Sequence, residues 1–228
     1  MRALIIIPAY NEEENIVSVI TNITRSPEYD YIIINDCSTD NTAIICEEKG
    51  YNFISLPVNL GIGGAVQCGY QYAYENGYDI AVQFDGDGQH EVEGICQLIE
   101  PIIKGDSDMV IGSRFIDKKG FQSSLLRRIG IFIIRCVIYL CCWVRVTDTT
   151  SGFRAVNKFL IKHFANEYAH DYPEPEAIVS AVLGGYRVTE VSVKMNERIG
   201  GESSINTVRA IYYMIKVPIA LILYRSTV

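Results

Sequence analysis

Two carboxylates one residue apart follow an apolar run in the middle of the chain. Asp85 and Asp87 lie within the segment FDGDGQH, directly after the strand-like residues 79–84. Because side chains two positions apart in an extended segment point the same way, both carboxylates can face one ion, and the glycine after each lets the backbone approach a ligand closely. Hard oxygen ligands suit Mg²⁺ or Mn²⁺. The spacing therefore predicts a site for a metal ion and a diphosphate.

The elements that must position this segment alternate along the chain. Short runs rich in β-branched residues are separated by helical stretches, which favours an α/β fold with a mostly parallel sheet. In open sheets of this kind ligands bind at the carboxyl ends of the strands. The polar clusters 8–11, 35–40 and 85–89 follow predicted strands and should share one crevice. The predicted strands are residues 3–7, 31–35, 51–56, 80–84 and 109–111.

Helix starts are predicted after the first two strands. Asn11, with Glu14 three residues later, is expected to cap the first helix. The second helix has three candidate caps, among which Asp40 is interpreted as a helix cap rather than a ligand contact. The apolar stripe of the first helix comprises Ile16, Val19, Ile20 and Ile23, and the candidate caps of the second are Ser38, Thr39 and Asp40.

Composition narrows the class of protein. With 228 residues and 49% hydrophobic content, the chain can bury the core of one catalytic-sized domain. A net charge of −7 argues against a general nucleic-acid binder. The first residues, MRALIIIP, predict a strand and not a signal peptide. Seven cysteines without C-x-x-C spacing predict reduced thiols in a cytosolic setting.

Two apolar stretches occupy the second half of the chain. Residues 129–144 are nearly all apolar except for Arg135 and are too short to span a bilayer. Tyr139 and Trp143 are residue types found at a headgroup boundary, so a membrane-surface helix over about 123–145 is preferred to a buried core helix. Residues 211–224 contain Lys216 and a proline, and are expected to lie at the membrane or dock on a small membrane protein.

Four ordered motifs resemble family-2 glycosyltransferases with a GT-A fold, in the branch of dolichyl-phosphate mannosyltransferase and its bacterial polyprenyl-phosphate relatives. The resemblance runs from residue 3 to about residue 205 and includes GSRF at 112–115 and TTSGFR at 149–154. It implies a GT-A domain over 1–205, followed by an apolar helical segment over 206–228. The four motifs are PAYNEE at 8–13, NDCSTD at 35–40, NLGIGGA at 59–65 and DGDGQH at 85–90.

The resemblance implies a nucleotide pocket at the first two motifs. Pro8, Tyr10 and Glu12 would line it, and Asp36 would contact the base or ribose. An aromatic ring can stack on a base, and a carboxylate accepts hydrogen bonds from ribose hydroxyls or a base N–H. The alternative for Tyr10 and Glu12 is ordinary helix-entry chemistry.

The same resemblance assigns the ion and the diphosphate. Asp85, Asp87 and Gln89 would hold Mg²⁺ or Mn²⁺ and the donor's diphosphate, with Asp87 as a catalytic residue. His90 is either a further ligand or a hydrogen-bonding neighbour. The loop 196–204 resembles a segment that closes over the donor, in which Arg198 and Ser203 would contact the diphosphate.

The acceptor side is left with two alternatives. Arg114 follows a strand in GSRF and, with Arg127 and Arg128, could hold an acceptor phosphate; membrane-headgroup anchoring is the alternative for the last two. A sugar-hydroxyl acceptor would instead need a general base, for which Glu174 and Glu176 are candidates.

The resemblance therefore implies a metal-dependent, inverting glycosyltransferase, expected to be peripheral on the cytoplasmic face of the plasma membrane. It would use a nucleotide sugar, with UDP favoured from bacterial relatives, and polyprenyl phosphate as acceptor. The alternative acceptor is a hydroxyl of a lipid-linked glycan in cell-surface polysaccharide assembly. A Rossmann dehydrogenase is disfavoured because no Gly-rich turn follows the first strand. A catalytically silent binding protein remains a third class, and a homo-oligomer is left open.

Overall fold

The computed structural model describes residues 1–25, 29–117, 125–169, 173–196 and 216–225, of which the side chains of 125–127 are not described. Within these ranges one sheet is flanked by helices on both faces. Its strands are β1 (Ala3–Ala9), β2 (Asp30–Asn35), β3 (Phe53–Ser55), β4 (Ile80–Gln83), β5 (Met109–Ser113), β6 (Arg154–Asn157) and β7 (Val188–Ser192). The helices are α1 (Ile16–Thr24), α2 (Thr42–Glu48), α3 (Gly61–Glu75), α4 (Gly94–Ile103), α5 (Leu125–Cys142), α6 (Lys158–Asn166), α7 (Pro173–Leu183) and α8 (216–225).

The sheet has the strand order β3-β2-β1-β4-β6-β5-β7. Only β6 runs antiparallel to its neighbours β4 and β5 among the described strands, so the predicted mostly parallel α/β sheet is confirmed. Since β6 is reversed, its first residue lies at the edge where β4 and β5 end. That edge also receives the carboxyl ends of β1 and β2.

The apolar run of β1 is buried on both faces of the sheet. Leu4 and Ile6 face the core formed with α3, α6, α7 and α8, whereas Ile5 and Ile7 face the core formed with α1 and α4. A parallel strand covered on both sides needs a continuous apolar sequence. This explains why LIII shows no alternation of polar and apolar residues.

The first helix starts later than the sequence predicts. Helix α1 begins at Ile16 after Asn15, so the prediction that Asn11 caps it is wrong. Asn11 takes a left-handed conformation at φ 56°, and its Oδ1 accepts a hydrogen bond from the Thr39 amide at 2.8 Å. Its short polar side chain is used to join two loops and not to start a helix. The predicted stripe is confirmed as the buried face of α1: Ile16, Val19, Ile20 and Ile23.

Helix α5 is apolar on two sides. Apolar residues three or four positions apart pack one side of the helix on the core, while the apolar residues of the other side are exposed. Helix α8 joins the same core through Val217 and Leu221. Among the described residues, no helix combines the length and hydropathy that crossing a bilayer requires. The buried side of α5 carries Ile131, Ile134, Ile138 and Cys141, and the exposed side carries Ile129, Phe132, Leu140 and, just beyond the helix, Trp143.

Candidate active site

Three loops meet at the carboxyl ends of β1, β2 and β4. The Asp36 amide donates to the Ala9 carbonyl at 2.9 Å, which joins the ends of β1 and β2. The Glu12 amide donates to Thr42 Oγ1 at 2.9 Å, so the loop after β1 is also fixed to the start of α2. Helix α2 begins at Thr42 after Asn41, so the prediction that Ser38, Thr39 or Asp40 caps it is wrong. Asp40, one residue before that cap, accepts a hydrogen bond through Oδ1 from the Thr42 amide at 2.9 Å.

The loop after β1 lies against the segment that carries the two carboxylates. A β-carbon on Gly86 would lie 3.1 Å from the Pro8 carbonyl oxygen and 3.7 Å from Glu12 Cγ. The glycine therefore permits a close approach between the predicted nucleotide pocket and the predicted ion site. Glu12 is buried and its Oε2 accepts from Asn15 Nδ2 at 2.8 Å, whereas the Tyr10 side chain is half exposed.

Asp36 fixes the start of α3. The residue is buried, its Oδ1 accepts from the Leu60 amide at 2.7 Å, and its carbonyl accepts from Asn59 Nδ2 at 3.0 Å. Helix α3 then begins at Gly61, inside the NLGIGGA motif. One carboxylate thus joins the end of β2 to the helix behind the crevice.

Asp85 is held from two directions at the floor of the crevice. Gln83 Nε2 donates to its Oδ1 at 3.3 Å, and His90 Nε2 lies 3.2 Å from its Oδ2. The His90 ring is buried and stacks on Phe153 at 4.6 Å between centroids. Burial raises the pKa of Asp85, but the hydrogen bond and charge of His90 lower it more, with help from Gln83 and Arg154, so the net pKa is below its ordinary value. The carboxylate is therefore kept ionised.

Asp87 and Gln89 complete the predicted ligand set. Asp87 Oδ1 accepts a hydrogen bond from the Gln89 backbone amide at 3.1 Å. The Gln89 side chain donates through Nε2 to the Asn196 carbonyl at 3.3 Å, so its Oε1 faces away from that carbonyl. No group of three or more His, Cys, Asp or Glu suited to a metal occurs in the described part of the chain. Two carboxylates and an amide oxygen fit Mg²⁺ or Mn²⁺, which take substrate phosphates and water as further ligands.

Arg114 is buried in an ion pair at the same edge. Its Nε and Nη2 donate to the two carboxylate oxygens of Asp148, and Nη2 also reaches Thr150 Oγ1 at 3.2 Å. Burial lowers the pKa of Arg114, but the hydrogen bonds and charge of Asp148, with a smaller contribution from the charge of Asp85, leave that pKa above its ordinary value. Arg128 is exposed at the start of α5. The side chain of Arg127, and the whole of Arg198 and Ser203, lie outside the described residues.

The two candidate bases lie in the first turn of α7. The backbone carbonyl of Glu174 accepts from Arg154 Nη1 at 3.1 Å. The side chain of Glu176 lines a cavity of about 150 Å³ together with Glu167 and Tyr168. The described contacts thus connect α7 to the site through its backbone.

Sequence reasoning missed Asp148 and assigned no role to Arg154. Asp148 is fully buried, and its partner Arg114 is 34 residues away in sequence, so no local pattern marks the pair. Arg154 is the last residue of the TTSGFR motif, which was the one available signal. Its position depends on the reversed strand β6.

Comparison with known proteins gives the family. Residues 4–164 match the glycosyl transferase family 2 domain. A UDP-N-acetylglucosamine–dolichyl-phosphate N-acetylglucosaminyltransferase of Methanococcus voltae is 35% identical over 210 residues, covering 83% of this chain and 84% of the relative. An undecaprenyl-phosphate mannosyltransferase of Micrococcus luteus is 28% identical over 221 residues, covering 90% and 88%.

The fold is shared with a solved enzyme. Glucosyl-3-phosphoglycerate synthase from Mycobacterium tuberculosis, solved with Mn²⁺, UDP and phosphoglyceric acid, matches with a TM-score of 0.73 at 22% identity, over 98% of this chain and 78% of that one. This likeness shows the GT-A type of fold. The match of residues 4–164 to the family domain, with the 35% identical relative, establishes that the chain belongs to glycosyl transferase family 2 and is a glycosyltransferase.

Proposed function

We propose that this glycosyltransferase transfers a sugar, with inversion, from a UDP-sugar to polyprenyl phosphate at the cytoplasmic face of the membrane, with a divalent metal ion. The observation that carries the proposal is the meeting of the Asp85–Gln89 segment with Pro8 and Glu12 at the edge where β1, β2 and β4 end. The relatives named for dolichyl-phosphate and undecaprenyl-phosphate transfer support this class of acceptor.

The donor would bind across that edge. Pro8, Tyr10 and Glu12 would line the nucleotide pocket, and the half-exposed Tyr10 ring is available for stacking on the base. Asp36 is fixed through Oδ1 to Leu60, which would orient the carboxylate toward the base or ribose. The diphosphate would extend from this pocket toward Asp85.

Asp85, Asp87 and Gln89 would hold Mg²⁺ or Mn²⁺. When bound, the ion would supply Lewis-acid stabilisation of the charge that develops on the departing nucleoside diphosphate. The protein's own contribution is to keep Asp85 ionised and fixed through His90 and Gln83. A group held in one geometry before the reaction needs no reorganisation during it.

The acceptor reaction follows from charge and position. A phosphate oxygen of the acceptor attacks the anomeric carbon, a new C–O bond forms, and the bond from that carbon to the nucleoside diphosphate breaks. The acceptor is already an anion, so no general base is required. Arg114 would attract the acceptor phosphate from within its pair with Asp148, and Arg127 and Arg128 would do so from the start of α5.

The exposed apolar side of α5 would rest on the membrane, within an interfacial segment of about 123–145. Phe132, Leu140 and Trp143 are each more than three-fifths exposed there, at 62%, 64% and 72%. Arg128 adds a positive charge that suits anionic headgroups. The C-terminal segment that contains α8 would add a second contact with the membrane or with a small membrane protein.

The test is transfer of labelled sugar from a panel of nucleotide sugars to polyprenyl phosphate in detergent, with Mn²⁺. Asp87→Ala should abolish labelled lipid, and chelation of the metal should do the same. Asp106→Asn, in an exposed turn at the opposite edge of the sheet, is the matched control and should retain activity. Metal-independent transfer, or transfer unchanged in Asp87→Ala, would contradict the proposal.

The alternative acceptor, a hydroxyl of a lipid-linked glycan, has its own signature. It requires Glu174 or Glu176 as base, so Glu174→Gln or Glu176→Gln should nearly abolish turnover. With polyprenyl phosphate as acceptor, both variants should remain active. Donor hydrolysis without labelled lipid in the wild type would favour the hydroxyl acceptor.

A further inference from the structure

Arg154 is a fully buried cation at the active edge of the sheet. It begins the reversed strand β6 and lies opposite Gln83 on one side and Ile111 on the other. Its Nε and Nη2 both donate to the Ser151 carbonyl, and its Nη1 donates to the Glu174 carbonyl at 3.1 Å. The guanidinium therefore ties the loop before β6 to the first turn of α7.

The loop that Arg154 holds lies directly against Asp85. A β-carbon on Gly152 would lie 2.6 Å from Asp85 Oδ2 and 2.8 Å from Oδ1. Contacts this short show that the glycine backbone sits against the carboxylate with no room for a side chain. The position of the Gly152 backbone therefore limits where the Asp85 carboxylate can lie.

Stability alone gives a weak reason for a cation at this position. No carboxylate pairs with Arg154 among the described residues, whose salt bridges include the Arg114–Asp148 pair nearby. A buried charge that hydrogen-bonds only to carbonyl groups loses hydration without gaining an ion pair. Near Arg154, Gln83 Oε1 and Ser151 Oγ are buried with no hydrogen-bond partner in the described structure. The polar character of this region is better explained by what it does to the neighbouring carboxylate.

We infer that Arg154 is a positioning residue for the ion site: by holding the Ser151 carbonyl, it keeps the Gly152 backbone under Asp85 and so fixes the geometry of that carboxylate. The same side chain holds the Glu174 carbonyl and thereby sets the start of α7 relative to the site. The inference rests on the proposed ion site at Asp85, Asp87 and Gln89. Arg154 would not touch the ion. Residues that hold metal ligands in place commonly change metal affinity about 10-fold to 100-fold when they are replaced.

The test is Mn²⁺ affinity, measured by electron paramagnetic resonance on the full chain with and without UDP. Arg154→Lys keeps a buried positive charge but cannot span two carbonyl groups with a planar fork. Its Mn²⁺ dissociation constant should rise about tenfold or more. Arg187→Lys is the matched control, because Arg187 also holds a carbonyl, that of Gly105, but at the opposite edge of the sheet. Its Mn²⁺ affinity should equal that of the wild type.

The outcomes separate the two proposals. If the wild type binds Mn²⁺ and folded Arg154→Lys binds it equally well, the role of Arg154 is wrong while the ion site stands. If the wild type does not bind Mn²⁺ with or without UDP, both are overturned. Circular dichroism and the unfolding midpoint establish whether Arg154→Lys is folded. If it is not, Gly152→Ala carries the test, because it leaves Arg154 intact; unchanged Mn²⁺ affinity in that variant would overturn the inference.

Discussion

The Asp148 carboxylate accepts two hydrogen bonds from one side of the Arg114 guanidinium, from Nε to Oδ2 and from Nη2 to Oδ1, each at 2.7 Å. The Arg114 amide also donates to Asp148 Oδ2 at 3.2 Å. Glu190 in turn accepts from the Thr147 and Asp148 amides at 2.7 and 2.8 Å. Arg114, which the sequence analysis assigns to the acceptor, is thus held by Asp148. The backbone of Asp148 is in turn held by Glu190 of β7.

We predict that Asp148→Asn destabilises the protein by about 3–5 kcal/mol, because it leaves the Arg114 cation buried without its counter-charge. Unfolding in urea, followed by circular dichroism, measures the change. The double variant Arg114→Met with Asp148→Leu should recover much of the loss, since it removes both charges together.

The matched control is an exposed pair. Glu100→Gln breaks the pair between Lys104 and Glu100, whose side chains are 59% and 63% exposed, and should leave the unfolding midpoint unchanged. If Asp148→Asn were as stable as Glu100→Gln, Asp148 would not be needed to balance the buried charge of Arg114, and the prediction would be wrong.

A second prediction concerns the histidine beside Asp85. His90→Phe should keep the stacking on Phe153 but remove the hydrogen bond to Asp85, and so should weaken Mn²⁺ binding about tenfold. Calorimetric titration of Mn²⁺ in the presence of UDP measures this. His163→Phe is the control, because His163 contacts Ser180 at 2.7 Å on the α6–α7 side. Equal Mn²⁺ affinity in the two variants would count against a role of His90 at the site.

The active edge was predictable because its signals are local. Strand β4, the carboxylates after it and the buried face of α1 each follow from residues a few positions apart. Parallel strands then bring their carboxyl ends together without further information. The start of α1 was predicted wrongly because Asn11 has two competing uses, as a helix cap and as a residue that tolerates the left-handed region.

The supporting residues were not predictable in the same way. The position of Arg154 depends on the pairing of β6 with β4 and β5 in the antiparallel sense, which a short run of residues does not encode. The role of Asp148 depends on a partner 34 residues earlier. The need for a glycine at position 152 is evident only from the folded structure, where Asp85 packs against it. Long-range packing decides these contacts, so sequence spacing alone could not.

A third prediction concerns acid stability at the edge opposite the site. Asp108 accepts hydrogen bonds from the Arg187 amide at 2.8 Å and from its Nε at 3.1 Å. Burial raises the pKa of Asp108, but the Arg187 hydrogen bonds and charge lower it more, so its pKa in the folded protein is below the ordinary value of 3.8. Its contribution to stability is therefore complete above that ordinary value and is lost as the pH falls through the lower folded value.

Asp108→Asn should consequently lose less stability than the wild type as the pH falls below about 4, although it is less stable at pH 7. Unfolding free energies measured across this range give the two slopes. Asp106→Asn, an exposed neighbour, should follow the wild-type slope. Parallel curves for Asp108→Asn and the wild type would show that Asp108 does not carry this dependence.

The last prediction uses the single tryptophan as a probe of the membrane surface. Trp143 is the one tryptophan of the chain and is 72% exposed beside the end of α5. If the exposed apolar side of α5 enters the headgroup region, anionic vesicles should shift the tryptophan emission to shorter wavelength. Phe132→Ser and Leu140→Ser should each lower the partition coefficient roughly tenfold, because burying such a side chain is worth about 1.5–3 kcal/mol.

Phe159→Ser is the control for exposed apolar area, since Phe159 is 58% exposed at the start of α6 and not on α5. It should leave the partition coefficient and the emission shift unchanged. An emission spectrum that does not move at saturating vesicle concentration would place Trp143 in water and remove α5 as the membrane contact. Equal losses in Phe159→Ser and Phe132→Ser would mean that apolar area in general, and not this side of α5, drives binding.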